Sequence, residues 1–540
     1  MVRPWLRFYD FWTPAEINQP CGSLYQILQI AAGQYGQRPA THFEGAELTF
    51  LEIKRRVDRL AAALSRRGVS KGDRIGVMLP NCPQYMIAFF AIVRLQAIVV
   101  NVNPIYTPPE VARVGADSGL RVFITLDLLA DIARSADSAE MLIVTSLAEY
   151  SAGAASPSDI PGAVSLAALI AEDGEAHLPP LSGDFSGEIA ALQYTGGTTG
   201  TPKGAMLTHG GIYVNMLQSA AWGQYFTRRG EERILLVLPL FHVYGMVVGM
   251  LLSFWNGTQM ILLAKYSLDA LFDAIEKMRP TFLPGVPAMF QAILHHPRAT
   301  TCGLDAIRSF NSGAAPLPVE TINRFERLTS AMLREGYGMT ELSCSAITTP
   351  FLGIRKPGSI GLPLPSTLAR IVDLDTGESD LAAGEEGELC IQGPQMMQGY
   401  WRKPEETAFA IRNGWLYTGD IARMDEDGYF YIVQRKKDMI NVSGFKVFPA
   451  EVDEVLHAHP AVVEAAAIGV PHPYRGEVVK AFVVLRPGES VAAGQLIEYC
   501  KERLAKFKAP AEIEFLEALP KSAVGKVLRR ALREREQGGT

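Results

Sequence analysis

Hydrophobic residues recur at helical spacing in one early stretch of the chain. Thr49 and Glu52 stand three residues apart just before it, in the arrangement of a capping box. Apolar side chains then follow at positions 53, 57, 60 and 64, until Gly68 ends the pattern. The spacing predicts an amphipathic helix between Thr49 and Gly68.

Short apolar runs typical of strands alternate with helical stretches along much of the chain. A run at residues 74–80 (RIGVMLP) precedes an apolar helical stretch around 85–95 and a second run at 97–102. The alternation resumes with a strand at 234–239, a helix over 268–278, and a strand and turn over 281–287. This order predicts βαβ units and a parallel sheet.

The pattern changes in three other segments. Residues 150–187 are rich in Ser, Gly, Pro and Asp with weak periodicity, which predicts a surface excursion without chemistry. Short strands with acidic turns over 370–392 predict a small β-rich subdomain. From Asp438 about a hundred residues remain, which fits a compact α+β unit. The predicted fold class is α/β: a large N-terminal α/β region of several subdomains, including the small β-rich one, plus an α+β C-terminal domain.

Composition excludes several classes of protein. The 540 residues exceed one ordinary core, so several folding units are expected. Apolar residues make up 48% and charged residues 20%, close to soluble globular averages, which argues against disorder and disulfide scaffolds. The net charge of -6, without a long basic run, argues against nucleic acid as a partner.

Cysteine usage and apolar stretches predict a cytoplasmic protein. The six cysteines are scattered without metal-ligand spacing or a disulfide pattern, which indicates reduced thiols. The N-terminus lacks the continuous apolar segment of a signal peptide. The stretches at 85–100 and 243–255 are interrupted or short against the roughly 20 residues of a spanning helix, so both predict buried core segments. Peripheral contact with the inner face of the membrane and a homodimer are left open.

Residues 194–204 (YTGGTTGTPKG) have the composition of an anion cradle. Glycines permit a tight backbone that aims N–H groups at phosphate oxygens, threonines add hydroxyl donors and the lysine adds charge. The segment is not a Walker A loop, because Pro202 precedes the lysine and Gly204 follows it. A flexible surface loop is the alternative. The candidate phosphate-binding residues are Thr195, Gly196, Gly197, Thr198, Thr199, Gly200 and Lys203.

This loop resembles the signature of the adenylate-forming (AMP-binding) superfamily, and its context is similar to that of bacterial long-chain fatty-acid–CoA ligases. Gly196 departs from the serine that many relatives carry there, which weakens the phosphate analogy. Five further segments resemble the family's motifs, in the family's order. They are residues 238–245 (LPLFHVYG), 337–342 (YGMTEL), 417–420 (YTGD), 435–446 (RKKDMINVSGFK) and 520–526 (PKSAVGK).

The resemblance implies roles for residues around the nucleotide. Glu341 would hold Mg²⁺ beside the phosphates, with Thr340 as a phosphate donor, although a Thr-Glu pair is more often a helix cap. Asp420 and Arg435 would contact the ribose hydroxyls. The small residues Gly313, Ala314 and Ala315 would pass along the adenine, and Tyr337 and Gly338 belong to the nucleotide motif. His242 would border the adenylate and thiol channels and shape the pocket, with a satisfied core histidine as the alternative.

The resemblance also implies a mobile C-terminal domain. Lys526 would reach over the carboxylate and the α-phosphate during adenylation. Rotation about a hinge at Lys437 would withdraw it and bring the loop containing Gly444 to the pantetheine channel. The expected domains are therefore an N-terminal adenylation domain, residues 1–436, and a mobile C-terminal domain, residues 437–540.

The implied function is an ATP-dependent ligase that adenylates a medium- or long-chain fatty acid and transfers the acyl group to coenzyme A, using ATP, Mg²⁺ and coenzyme A. Residues 243–252 and 285–290 offer an apolar pocket without an acidic partner for an amino group, which favours fatty acids over amino acids. The alternatives are a coumarate-type or other medium-chain acyl-CoA ligase, a fatty acyl-AMP ligase that loads a carrier protein, and a catalytically silent nucleotide-binding protein.

Overall fold

A computed structural model describes residues 3–153, 159–172, 178, 180–181, 183–195, 202–442, 445–472, 474–522 and 527–536. The helices are α1 (Tyr25–Tyr35), α2 (Phe50–Arg66), α3 (Pro83–Arg94), α4 (Pro108–Ser118), α5 (Ala130–Ala133), α6 (Leu166–Ala171), α7 (His209–Trp222), α8 (Leu252–Asn256), α9 (Leu268–Met278), α10 (Pro287–Leu294), α11 (Val319–Thr329), α12 (Pro404–Ala410), α13 (Pro449–His457), α14 (Ala493–Lys501) and α15 (Arg529–Glu536). A π-helix, Tyr244–Leu251, continues into α8. Short 3₁₀ turns occupy Pro4–Phe8, Asp127–Leu129, Leu147–Tyr150, Pro297–Thr300, Leu304–Ala306, Thr340–Leu342 and Lys436–Asp438.

The strands are short and belong to four sheets. They are β1 (Pro39–Phe43), β2 (Ala46–Thr49), β3 (Arg74–Met78), β4 (Ile98–Asn101), β5 (Val122–Leu126), β6 (Met141–Thr145), β7 (Ala163–Ser165), β8 (Ile189–Thr195), β9 (Lys203–Thr208), β10 (Arg233–Leu236), β11 (Gln259–Leu262), β12 (Phe282–Gly285), β13 (Ser309–Ser312), β14 (Leu333–Met339), β15 (Cys344–Thr348), β16 (Leu362–Pro363), β17 (Leu368–Val372), β18 (Glu386–Gln392), β19 (Ile411–Arg412), β20 (Trp415–Met424), β21 (Phe430–Arg435), β22 (Ile440–Val442), β23 (Phe445–Val447), β24 (Val462–His472), β25 (Gly476–Leu485) and β26 (Glu512–Phe515).

The chain forms two compact units. The first comprises Met1–Leu368 and Ile391–Leu416, and the second comprises Ala369–Cys390 and Tyr417–Thr540. The boundary expected between residues 436 and 437 stays a prediction, because a division by packing does not locate a hinge.

Two largely parallel sheets form the first unit. One has the strand order β7-β6-β5-β3-β4-β8-β9, in which only the β8–β9 pair is antiparallel. The other has the order β16-β15-β14-β13-β12-β10-β11-β1-β2, with parallel pairs from β14 through β1. These strands alternate with helices along the chain, which confirms the predicted βαβ arrangement.

Local signals explain several of the helices. The Oγ1 atom of Thr49 accepts the N–H of Glu52 at 3.2 Å, and the Glu52 carboxylate accepts the N–H of Thr49 at 2.8 Å. The predicted capping box therefore begins α2, whose apolar stripe is buried. Every residue of α3 from Pro83 to Val93 is buried, as a core segment requires. Among the described residues, no helix is both long and apolar enough to cross a membrane.

The prediction of a surface excursion over residues 150–187 was wrong in part, because some of these residues pack in the core. Strand β7 extends the parallel sheet beside β6, and α6 packs against α2. Leu166, Leu169 and Ile170 are the buried residues of α6. These elements have three and six residues, too few for a period to be visible in the sequence.

The second unit contains a sheet of order β23-β22-β25-β24, with β26 added beside β25. Its β24–β25 hairpin is antiparallel, whereas β26 runs parallel to β25. Helices α13 and α14 enclose the core of this sheet. A further sheet of the second unit contains β21 together with most of β17, β18 and β20. The predicted α+β unit and small β-rich region are both present.

Candidate functional site

A cavity of about 170 Å³ lies along the nine-stranded sheet of the first unit. Its lining begins at Glu232, Thr281 and Arg308, which precede β10, β12 and β13, and extends to residues beyond the carboxyl ends of these strands. The carboxyl edge of a parallel sheet is where α/β proteins bind ligands. Most of the wall is apolar. The apolar side chains are those of Trp222, Phe226, Ile234, Val243, Val248, Leu252, Phe282, Met339, Phe351 and Leu364.

The predicted acyl-pocket segments differ in their placement. Val243, Val248 and Leu252 line the cavity, as expected for residues 243–252. In the second segment, Met289 and Phe290 are buried in the hydrophobic core beside α9 and α11 instead. Met289 and Phe290 therefore contribute to core packing, and the assignment of residues 285–290 to the acyl pocket stays a prediction.

The segment predicted to pass along the adenine forms one end of the cavity. Gly313 directly follows β13, and its N–H donates to the carbonyl of Gly285 at 3.1 Å. A Cβ atom on Gly313 would lie 2.8 Å from the ring of Tyr244. Ala314 has a left-handed backbone, with φ of 71°. Gly313 and Ala314 line the cavity and Ala315 follows them, so small side chains leave this backbone accessible.

Tyr337 and Gly338 line the same end of the cavity. They lie on β14, where Gly338 pairs with Ser345 of β15. A Cβ atom on Gly338 would lie 1.7 Å from the carbonyl oxygen of Cys344, so only glycine fits at this position. The nucleotide motif thus brings its backbone close to a neighbouring strand, and no side chain separates them.

The loop before His242 is held by one buried side chain. The Nδ2 group of Asn81 donates to the carbonyls of Leu236 and Leu238, at 3.0 Å each. Its Oδ1 atom accepts the N–H of Leu240 at 2.8 Å. Asn81 therefore satisfies one backbone group at the end of β10 and two in the irregular segment that follows it.

His242 lines the cavity in a neutral state. Its Nδ1 atom accepts the N–H of Tyr244 at 3.3 Å, which places the proton of the ring on Nε2. Burial lowers the pKa of His242 to about 4, so the imidazole is uncharged at neutral pH. This geometry favours a residue that shapes the pocket and donates a hydrogen bond.

A tyrosine connects the predicted magnesium ligand to the predicted phosphate loop. Thr340 and Glu341 are buried in the 3₁₀ turn that follows β14. The hydroxyl of Tyr400 donates to Oε1 of Glu341 at 2.7 Å, and the ammonium of Lys203 lies 5.3 Å from the centroid of the Tyr400 ring. Burial, together with the Glu341 carboxylate, raises the pKa of Tyr400, so its hydroxyl remains a donor. Tyr400 thus contacts both residues: its ring lies beside the ammonium of Lys203, and its hydroxyl donates to Glu341.

Thr195 and Lys203 lie opposite each other at the ends of β8 and β9. The predicted phosphate loop is therefore the connection of an antiparallel hairpin, and α7 begins only at His209, after β9. A Walker A loop connects a strand directly to a helix, so this topology agrees with its exclusion. Gly196, Gly197, Thr198, Thr199 and Gly200 lie outside the described residues.

The two predicted ribose contacts are cross-strand neighbours in the second unit. Asp420 of β20 lies opposite Arg435 of β21 in the antiparallel register. Asp420 is buried, and its N–H donates to Oγ1 of Thr418 at 3.1 Å. Asp420 and Arg435 are fifteen positions apart in the sequence, and the β20–β21 hairpin places them opposite each other.

The predicted hinge and C-terminal residues are described only in part. Lys437 lies in the turn Lys436–Asp438, where the neighbouring Lys436 pairs with Glu388 at 2.9 Å. Gly444 and Lys526 lie outside the described residues.

Sequence reasoning missed Tyr400, Asn81 and Arg334. Tyr400 reaches Glu341 across 59 positions, and Asn81 reaches Leu238 across 157. The cavity residue Arg334 stands in a strand, where a single arginine gave no signal of burial. Only the tertiary fold reveals these contacts.

Comparison with known proteins places the chain among nucleotide-dependent ligases. The AMP-binding enzyme family matches residues 28–401, and the AMP-binding enzyme C-terminal domain matches residues 451–526. The long-chain-fatty-acid–CoA ligase of Bacillus subtilis (strain 168) is 42% identical, over 99% of this chain and 98% of its own. That of Salmonella typhimurium is 38% identical, over 100% and 99%. The fold is similar to that of ATP-bound MatB from Rhodopseudomonas palustris, with a TM-score of 0.85, 30% identity, and coverage of 95% of this chain and 99% of that chain. The chain therefore belongs to the AMP-binding enzyme family.

Proposed function

We propose that this chain is an acyl-CoA synthetase that uses ATP to adenylate a medium- or long-chain fatty acid and transfers the acyl group to coenzyme A, releasing AMP and pyrophosphate. The observation that carries the proposal is the apolar cavity whose wall includes the side-chain-free backbone of Gly313 and Gly338. An alkyl chain fits such a wall, and a flat base fits a backbone without side chains. Two full-length relatives named long-chain-fatty-acid–CoA ligase support the same activity.

Adenylation brings a carboxylate to a phosphate, so the site must supply positive charge and alignment. We assign the charge to Lys203 and hydroxyl donation to Thr195 and Thr340. His242 remains neutral beside the cavity and can donate from Nε2. Asp420 and Arg435 would hold the ribose, with the β20–β21 pairing setting their spacing.

Mg²⁺ is assigned to Glu341. Among the described residues, no group of three or more His, Cys, Asp or Glu side chains could hold a metal ion by itself. A single buried carboxylate nevertheless fits Mg²⁺, because this ion commonly binds one or two carboxylates together with substrate phosphates. When bound, Mg²⁺ supplies charge neutralisation at the phosphates. Tyr400 orients the Glu341 carboxylate through its hydrogen bond.

The second half-reaction is assigned to a mobile C-terminal domain, residues 437–540, that moves relative to an adenylation domain, residues 1–436. Lys526 would act in adenylation, Lys437 as the pivot, and Gly444 at the pantetheine channel. These roles rest on the sequence resemblance. Lys526→Ala should abolish acyl-adenylate formation and spare thioester formation from supplied acyl-adenylate, measured as two separate half-reactions. Equal loss in both would contradict the division of labour.

The function is tested by thioester formation with ATP, Mg²⁺ and coenzyme A across saturated fatty acids of increasing length, alongside coumarate and acetate. A maximum at medium or long chains is expected, because the cavity wall is apolar. A maximum with coumarate would indicate an aromatic-acid ligase. Pyrophosphate release without thioester would indicate a ligase that loads a carrier protein, and nucleotide binding without turnover would indicate a silent protein.

A cytoplasmic location is also proposed, supported by six cysteines that form no disulfide. Cell fractionation at low and high salt will separate a freely cytoplasmic pool from one held peripherally at the membrane. Sedimentation of the purified protein will distinguish a monomer from a homodimer.

A further inference from the structure

Three charged side chains line the apolar cavity, and they differ in their partners. Arg308 and Glu232 form an ion pair with each other. Arg334 is only 4% exposed, and no carboxylate of the described residues lies within 4.0 Å of its guanidinium group. The cavity therefore carries one positive charge that the protein does not compensate by contact.

The contacts of Arg334 hold it in place without neutralising it. Its Nη2 group donates to Oγ of Ser309 at 2.8 Å, and its guanidinium carbon lies 3.4 Å from the centroid of the Phe351 ring. Its Nε group has no hydrogen-bond partner in the part of the chain that the structure describes. Burial lowers the pKa of Arg334 to about 9, with smaller opposing contributions from Tyr244 and Asp10, so the group stays charged at neutral pH.

The carboxylate of Asp10 is committed elsewhere. It accepts the backbone N–H groups of Phe351, Leu352 and Gly353 at 2.8, 3.0 and 2.7 Å. It therefore fixes the segment that carries the Phe351 ring, and the ring rather than the carboxylate contacts the guanidinium group of Arg334.

A second polar group lies beside Arg334 on the neighbouring strand. Asn311 is the cross-strand partner of Arg334, and both line the cavity. The Asn311 Nδ2 group donates to the hydroxyl of Tyr244 at 3.0 Å, while its Oδ1 atom has no hydrogen-bond partner among the described residues. Buried polar groups are normally paired, so two unpaired atoms on cross-strand neighbours show that this part of the cavity wall has hydrogen-bonding capacity that the described residues leave unused.

We propose that Arg334 binds a second carboxylate at the far end of the acyl chain, so that the enzyme activates medium-chain dicarboxylic acids as well as simple fatty acids. This inference rests on the proposed function. The Arg334 guanidinium would donate to the distal carboxylate, and the Asn311 amide can turn its NH₂ group toward it while Tyr244 donates to Oδ1. A buried charge that meets no partner in the protein would then meet one in the substrate.

The strand geometry sets the length of the acid. We take Gly338, which lines the cavity two residues before the phosphate donor Thr340, as the reference point for the reacting end of the acid. Arg334 precedes Gly338 by four positions on β14, which is about 13 Å at about 3.3 Å per residue. An extended chain advances about 1.2 Å per bond, since three backbone bonds span at most about 3.6 Å. The two carboxyl carbons should therefore be separated by about eleven bonds, as in a diacid of about twelve carbons.

The test compares dodecanedioate with dodecanoate as substrates for thioester formation. The measured quantity is the ratio of their kcat/KM values in wild type, Arg334→Met and Arg334→Lys. Loss of a buried charge pair should lower the diacid-to-monoacid ratio about thirtyfold or more in Arg334→Met, and Arg334→Lys should retain most of it. Arg355→Met is the matched control, because Arg355 pairs with Glu326 outside the cavity lining, and its ratio should equal that of wild type.

Wild type alone provides a readout that needs no variant. Dodecanedioate should be used better than octanedioate or hexadecanedioate. If wild type converts dodecanoate but none of these diacids, or if Arg334→Met leaves the ratio unchanged, this inference is overturned while the proposed function stands. If neither dodecanoate nor any diacid yields a thioester, the proposed function fails as well.

Discussion

Two buried cations, one in each unit, have opposite surroundings. Lys480 of β25 is 5% exposed and lies 2.8, 3.1 and 2.7 Å from carboxylates of Glu512, Glu514 and Glu536. Burial alone would lower its pKa, but these three carboxylates outweigh burial and raise the pKa. Arg334 of β14 is equally buried, no carboxylate of the described ranges pairs with it, and burial lowers its pKa.

The difference separates charges that build the fold from charges that face a ligand. The partners of Lys480 come from β26 and α15, so its ion pairs join three elements of the second unit. Arg334 faces the cavity, and the carboxylate that we propose as its partner belongs to the substrate. We therefore expect mutation of charges in the first unit's site to affect activity, and mutation of Lys480 to affect stability.

The largest expected effect tests whether a charge at the site of the first unit affects activity rather than stability. Glu341→Gln keeps the size of the side chain and an oxygen that can accept from Tyr400, but removes the negative charge assigned to Mg²⁺. ATP–pyrophosphate exchange should fall about 100- to 1,000-fold, as for other losses of a charged group at a reacting centre. The midpoint of thermal unfolding should stay close to that of wild type. Glu498→Gln, at an exposed helix position, is the control, and exchange within tenfold of wild type would argue against the assignment.

Lys480→Met tests whether the buried cation of the second unit affects stability rather than activity. Glu512 and Glu536 would then lose their cation, while Glu514 keeps its ion pair with Arg535. The second unit should lose about 2 kcal/mol, less than for a fully buried pair because Glu512 is mostly exposed. Thermal unfolding should shift to lower temperature, while fatty-acid activation below that temperature is unchanged. Lys501→Met removes an exposed ion pair with Glu498 and should shift neither quantity measurably. A stable but inactive Lys480→Met protein would break the contrast.

Tyr400→Phe probes how a neutral group supports a charged one. It removes the hydrogen bond to Glu341 and keeps the ring beside Lys203. A single hydrogen bond to a carboxylate contributes about 1.5 kcal/mol, so ATP–pyrophosphate exchange should fall about tenfold. Tyr225→Phe, at an exposed tyrosine, should have no effect. Unchanged exchange in Tyr400→Phe would mean that Glu341 is positioned by other contacts.

The smallest expected effect is the contribution of the buried His209 to the pH dependence of the free energy of unfolding. Burial lowers the pKa of His209 to about 3, and the charge of Lys71 adds to this. The unfolded chain binds a proton near pH 6.5 and the folded chain does not, so protons favour unfolding below pH 6.5. Each further pH unit down to about 4 should therefore lower the free energy of unfolding by about 1 kcal/mol. His209→Asn should flatten this slope in denaturant titrations, whereas the exposed His295→Asn should not.

The parts of the fold that sequence predicted depend on neighbours in the chain. The start of α2 needed only Thr49 and Glu52, and the bounds of α9 agree with the predicted residues 268–278 because Ser267 caps the helix and its apolar period is regular. Helix α6 was missed because its six residues, Leu166–Ala171, are shorter than two helical turns. Local sequence patterns thus predicted long periodic elements and missed short elements that are stabilised by packing against distant parts of the chain.

The candidate site divides in the same way. The motifs at residues 337–342 and 417–420 were found as short strings, and the structure shows why glycine must occupy Gly338. The hydrogen bond from Tyr400 to Glu341 and the burial of Arg334 depend on strands brought together from distant parts of the chain. Periodicity cannot report such pairs, because it records only which neighbours along the chain share a face.

The clamp formed by Asn81 has a consequence for hydrogen exchange and for binding entropy. The amide of Leu240 lies in an irregular loop, yet it is buried and bonded to a core side chain, so it should exchange with solvent as slowly as a strand amide. A loop ordered before substrate arrives loses little conformational freedom on binding. The backbone leading to His242 therefore contributes to affinity by being already fixed.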